Sequence, residues 1–259
     1  MRICRSSTTT LRCDREHLPR RGPRDARSAT RWQAWPVASV ALGPDASHRL
    51  VDAFSYLALG HVFVANMTGN VVFLGFALAG APGFSIAASL VALASFWSGA
   101  LVGGKVGSRL GEHRGRLLHA AALIQAVFLA ASVVLAALAG NTMTEGFRYP
   151  LIVVLAITMG IQNATARKLA VPDLTTTVLS LTLTGVAADS ALVGGKGSLS
   201  GRRLLSVATM LVGALVGAAL VIHVRIVLPL VIALIVIVAV AATTRLLGRS
   251  DPPWAVLDR

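Results

Sequence analysis

Asp52, Asn66, Thr68 and Asn70, with Gly69 between the last two, fall inside a stretch, 52–75, that is otherwise almost wholly apolar and also carries His61. A carboxylate, two amides and a hydroxyl in such a setting can hold a small solute or pass a proton. An acid at membrane depth marks a relay or ion path by default. The Thr-Gly pair adds a backbone property, since glycine interrupts a helix and a hydroxyl can cap the broken end. A helix broken in a bilayer frees backbone N–H and C=O groups, and the half-helix N-terminus carries partial positive charge. Transporters place such discontinuous helices from two inverted repeats around a midplane site.

A weaker copy of the same set recurs about 115 residues later. Gln162 and Asn163 close one apolar block, and Thr184, Gly185 and Asp189 lie in the next. Asp52 and Asp189 are the carboxylates in or beside apolar segments, which makes them the candidate proton relay. Arg167 is a candidate contact for an anionic ligand, or else anchors the cytoplasmic end of a span together with Lys168. The competing reading of the whole cluster is packing, because Thr, Asn and Gly also join helices and hydrogen-bond across them.

The elements that would position these residues are long apolar helices. The chain has 259 residues, 55% of them apolar and 14% charged, where soluble domains run nearer about 25% charged. Blocks of roughly 20 apolar residues are the mark of transmembrane helices. Spans are predicted at 84–104, 117–139, 150–166, 204–222 and 226–244. Charged loops are expected at 105–116 and 140–149, and residues 37–56 form a weaker helix broken by polar positions. Gly99, Gly103 and Gly107 are spaced four apart, so a neighbouring helix can approach closely there.

The net charge of +13 would suggest nucleic acid in a soluble protein. Its placement argues against that. Nine Arg and three acids sit in residues 1–36, which reads as a disordered basic tail, and most other cations fall between apolar blocks. Cys4 and Cys13 lie in that tail at no metal-ligand spacing. No intramembrane cysteine, nucleophile-elbow serine or phosphate-cradling loop is present, so no enzyme, metal or cofactor is expected.

Gly99-Ala-Leu-Val-Gly103 returns unchanged as Gly213-Ala-Leu-Val-Gly217, and each copy follows its Thr-Gly pair by nearly the same distance. This predicts an internal repeat, about 50–139 and 150–244, with Asp52 opposite Asn163. Positive charge chooses the topology. With six spans and the N-terminus inside, only Arg148 and Arg225 of the 24 cations lie outside. The segment 174–193 is then re-entrant or broken, both chain ends are cytoplasmic, and the tail 246–259 stays inside. If 174–193 crosses, the count is seven and seven cations fall outside.

VDAFSYLALGHVFVANMTGN at 51–70, MGIQNATARKL at 159–169 and TTTVLSLTLTG at 175–185 resemble the YoaK-like family of bacterial multi-pass membrane proteins, whose function is unknown. The resemblance covers about 50–245 and implies an integral inner-membrane protein, with no substrate or catalytic residues. The chain departs from it by the Arg-rich tail and by Arg49, where a glycine is common.

The expectation is an all-α polytopic transmembrane helical bundle of about six spans, with broken or re-entrant Thr-Gly segments. Its partners are the lipid bilayer, an unknown small solute and a second copy of the chain in a homo-oligomer. Its function is expected to be that of a small-solute transporter or permease. The alternative is a membrane scaffold or sensor whose polar residues only pack helices.

Overall fold

Apolar blocks flanked by cations form helices because a bilayer leaves no other partner for their backbone groups. The computed structural model describes residues 37–110, 114–140, 143–169, 184 and 200–247. The chain divides into two compact units, Met1–Ala38, of which Val37 and Ala38 are described, and Ser39–Arg259. The basic tail and most of 174–193, including Gly185 and Asp189, lie outside the described residues.

The described elements are seven α-helices: α1 (Val37–Ala58), α2 (Met67–Leu78), α3 (Ile86–Leu110), α4 (Arg114–Ala139), α5 (Glu145–Leu169), α6 (Ser200–His223) and α7 (Leu228–Leu247). No strand occurs among the described residues. The fold is thus an all-α polytopic bundle. Ile86–Leu110, Gly115–Ala139, Glu145–Leu169 and Leu228–Leu246 are each long and apolar enough to cross a membrane. The outward side chains of Trp97, Val127, Leu138, Leu211, Leu215 and Ile235 are exposed. A protein that presents large apolar side chains all round is built for lipid contact.

Several helices run past their apolar blocks. α3 continues through Lys105 and Arg109 to Leu110, and α5 begins at Glu145, ahead of Pro150. The expected loops at 105–116 and 140–149 are therefore partly helical. The physical reason is that a helix ends where its capping geometry ends it, not where hydrocarbon ends, so charged terminal turns extend into the interface. α1 is one continuous helix of 22 residues despite Gly43, Pro44 and Asp45. At about 1.5 Å per residue it matches a hydrocarbon core of about 30 Å.

α2, with 12 residues, reaches only about 18 Å and cannot span. The chain enters and leaves it at the same place, because His61 Nδ1 lies 3.0 Å from the Gly83 carbonyl oxygen. α1 has the length for a crossing but is not among the four helices that are also apolar enough for one.

The core gathers Val51 and Phe54 of α1, Leu151, Leu155 and Met159 of α5, Leu129 of α4 and Ile237 of α7. Among the described helices, α3 and α5 share the most extensive contact. Its cause is the glycine spacing. A Cβ on Gly99 would overlap the Ile157 carbonyl, one on Gly160 would overlap the Phe96 carbonyl, and one on Gly103 would stand 2.8 Å from the Ile161 oxygen. The two backbones are in direct contact, as small residues four apart allow. α4 is tied to α7 by His119 Nδ1, which sits 3.0 Å from the Ala241 oxygen.

Candidate functional site

The interruption of 52–75 begins at Gly60. The N–H of His61 donates to the Tyr56 carbonyl at 3.0 Å, and Gly60 has φ +85°. This is the helix ending in which a left-handed residue lets the chain reverse onto the last turn. His61 follows with φ +58°, a backbone state that a non-glycine residue seldom adopts. Arg148 Nε donates to the Leu59 carbonyl at 2.7 Å. A cation at a helix C-terminus is the favourable placement. The guanidinium also fills the space that a side chain at position 60 would need.

The break is therefore not at the Thr-Gly pair. Asn66 is the residue preceding α2, its side chain makes no capping bond, and Thr68 and Gly69 lie in the first turn of α2. Gly60 supplies the positive φ that ends α1, whereas Gly69 does not have positive φ. The hydroxyl of Thr68 is not the cap, and its side chain is exposed. Asn66 and Asn70 also do not share a helix face, since Asn66 stands outside the helix.

Residues 59–66 carry free backbone groups, and buried side chains satisfy them. Asp52 Oδ1 accepts the N–H of Val64 at 3.2 Å and of Ala65 at 2.9 Å. The N–H of Asn66 is also directed to this carboxylate. Asn70 Oδ1 accepts the Phe63 N–H at 2.9 Å, and Asn70 Nδ2 donates to the Phe63 carbonyl. Asp52 and Asn70 are both buried. Irregular backbone at membrane depth is tolerated only when protein receives it in this way. The N-terminus of α2 thus faces the chain's own carboxylate.

A second polar group lies where α1 meets α5. The His48 imidazole lies close to the Gln162 side chain and beside Arg49, and the Arg49 charge in turn acts on the Asp52 carboxylate. Arg49, Asp52 and Gln162 are buried, as are Ser47 and Thr158. The Nε2 of His48 and the Nε of Arg49 are buried and meet no hydrogen-bond partner among the described residues. A buried donor without a partner carries a substantial desolvation penalty, about 1–3 kcal/mol and more for a charged group. Neither His48 nor Arg49 stood out in the sequence as a site residue. The signal available was their position, one helical turn before Asp52.

The remaining sequence candidates do not converge. Asn163 is half-buried and its amide donates to the Met159 carbonyl of its own helix at 2.9 Å. Arg167 is exposed in the last turn of α5, and Thr184 is exposed. Gly185 and Asp189 lie outside the described residues. Asp52, Asn66 and Asn70 meet at 59–66, and Gln162 faces the same α1 turn from across the bundle.

Aromatic rings close one end of this region. Tyr56 stacks on Phe63 at 5.0 Å, Phe63 on Phe73 at 5.6 Å, and Phe73 on Phe84 at 5.1 Å between ring centroids. The stack joins α1, the loop, α2 and the turn before α3.

The two five-residue glycine copies make parallel contacts. A Cβ on Gly103 of α3 would meet Ile161 and Ala164 of α5, and one on Gly217 of α6 would meet Leu50 and Ala53 of α1. The glycines are 114 positions apart, and both contacted residues are 111 apart.

Comparison with known proteins agrees with this architecture. A family profile described as "Protein of unknown function (DUF1275)" matches residues 50–243. The UPF0700 transmembrane protein YoaK of Bacillus subtilis (strain 168) is 34% identical over 142 residues, which are 54% of this chain and 61% of that relative. The matched stretch thus spans about three fifths of the relative's length. No solved structure matches. A match over most of the chain, on a bundle with four helices able to cross a membrane, makes the chain a member of the DUF1275 family of membrane proteins of unknown function.

Proposed function

We propose that the chain is a small-solute transporter or permease of the bacterial inner membrane, with six spans and both ends in the cytoplasm. The site lies at the meeting of α1 and α5, around His48, Arg49, Asp52 and Gln162. The observation that carries this reading is a buried polar group, with two side-chain nitrogens that meet no hydrogen-bond partner among the described residues, beside a helix break in an apolar bundle. Intramembrane ionisable residues are retained where they serve ions or substrates.

The parallel glycine contacts support an internal repeat as its frame. If α1 corresponds to α5 and α3 to α6, the pairs α3–α5 and α6–α1 are one contact made twice. That reciprocity is what a two-fold relation produces. Under that correspondence Asp52 stands opposite Asn163 and the α1–α5 meeting falls on the axis, where repeat transporters keep their sites. The positive-inside distribution of cations supports the orientation.

A scaffold or sensor is the second reading. It is favoured by the engagement of Asp52 and Asn70 with the backbone of 59–66, which is a structural task. Water access separates the two. A Thr158→Cys variant lacking Cys4 and Cys13 should react with a small charged thiol reagent if the region opens to water. Complete protection from both sides of the membrane would favour the scaffold.

A further inference from the structure

The segment from His61 to Gly83 is fastened within itself. Asn70 of α2 bonds both backbone groups of Phe63, and His61 Nδ1 stands 3.0 Å from the Gly83 carbonyl oxygen. The segment leaves α1 through two consecutive residues of positive φ, Gly60 at +85° and His61 at +58°. The Asp52 carboxylate then ties it back to α1. Its Oδ1 accepts the N–H of Val64 at 3.2 Å and of Ala65 at 2.9 Å, and the N–H of Asn66 is also directed to it. Tyr56 of α1 adds ring contacts with Phe63 and Phe73, which carry no charge.

Among the described residues, Arg49 is the charged side chain that acts on the Asp52 carboxylate. α2 has no ionisable residue, and α3, which packs on α2, has none before Lys105. From α5, Gln162 faces His48 on α1, and Arg148 is engaged with the Leu59 carbonyl. α6 meets α1 at Gly217 and has no ionisable residue between Arg203 and His223. The remaining titratable side chain of the segment is His61, which is exposed.

An ionised carboxylate only accepts hydrogen bonds, and its charge strengthens each one. It also balances two positive groups, Arg49 and the N-terminal end of α2. The protonated acid keeps a neutral acceptor and loses that balance, so its hold on 64–66 weakens on all counts. The bonds of Asn70 and His61 lie inside the segment and do not oppose its movement as one piece.

We propose that Asp52 is a proton-operated latch. As the carboxylate it holds 61–66 and the first turn of α2 against α1. On taking up a proton from water it releases this segment to turn about Gly60 and His61. The step forms one O–H bond on the carboxyl, and its reversal returns the proton to water. The latch goes beyond the transport reading and does not need it. It is read without any solute, so its failure would leave that reading standing, and an absence of flux would leave the latch standing.

The test is amide hydrogen exchange of the purified full chain in lipid nanodiscs, from mildly alkaline to mildly acidic pH. Labelling times are scaled to the intrinsic exchange rate at each pH, so that protection alone is compared. The expected result is a fall in protection of 63–67 by about tenfold or more as the pH is lowered, with α3 and α5 unchanged. Asp52→Asn, which mimics the protonated state, should show the low protection at every pH. His61→Asn removes the other titrating side chain of the segment with a residue that tolerates positive φ, and should keep the wild-type step. If Asp52→Asn does not fold, His61→Asn decides. The latch is overturned by protection that is flat with pH in wild type, by a step that persists in Asp52→Asn, or by a step lost in His61→Asn. Equal loss of protection in α3 and α5 also overturns it, since that is acid unfolding of the bundle.

Discussion

The carboxylate of Asp52 accepts the N–H of Ala65 at 2.9 Å, across 13 residues of sequence that include the end of a helix. This bond joins the last full turns of α1 to the entry of α2. It makes Asp52 the anchor of the broken segment, whatever else it does. Asp52→Asn retains one acceptor and loses the charge opposite the α2 N-terminus, so it should lower stability by about 1–3 kcal/mol. Asp52→Ala leaves several buried N–H groups without a partner and should lower it further. Chemical or thermal unfolding in detergent measures both. Equal stability of wild type and Asp52→Ala would mean that the carboxylate does not hold the loop.

Asn70 should be as sensitive as Asp52. Its amide completes both backbone groups of Phe63, and Asn70→Ala strands a donor and an acceptor at about 1–3 kcal/mol for each group left buried. Thr68→Val, at an exposed position in the same first turn of α2, should change stability by less than about 0.5 kcal/mol. The contrast checks the finding that the Thr-Gly pair is not the break.

Backbone contact between α3 and α5 gives the sharpest packing expectation. Gly99→Leu and Gly160→Leu each drive a side chain into a facing carbonyl. Both should cost about 3 kcal/mol or more, or prevent folding, because backbone cannot give way as a rotamer can. Gly104→Leu, at a position with open space beside it, should fold normally. Expression and monodispersity after purification are sufficient to rank the three.

Topology is checked by labelling. In a chain lacking Cys4 and Cys13, Ser198→Cys should react with an impermeant thiol reagent only from the cytoplasmic side. Reaction from outside would overturn the six-span arrangement and bring 174–193 back as a crossing helix.

The helices were legible in the sequence wherever apolar length and small-residue spacing decided them. Gly99, Gly103 and Gly107 announced a close helix contact and make one with α5. Their partner was not legible, because spacing says that a neighbour is near without saying which. The broken character of 52–75 was legible from its polar residues, but its location was not. Two glycines, Gly60 and Gly69, were available to make the break, and only tertiary contacts from Arg148 and Asp52 select the first. His48 and Arg49 were hidden for a similar reason. In a weak helix beginning near a polar stretch they read as interfacial, and burial is decided by tertiary neighbours such as Gln162 of α5 that local sequence does not name.

The most direct measurement of the central claim is flux into proteoliposomes holding the full chain, with a panel of small anions, cations and neutral solutes. Saturable uptake of at least one small solute of the panel, faster than in protein-free vesicles, is the predicted result. If no solute in the panel enters faster than through the bare bilayer, while the protein remains folded and inserted, the transport reading is contradicted.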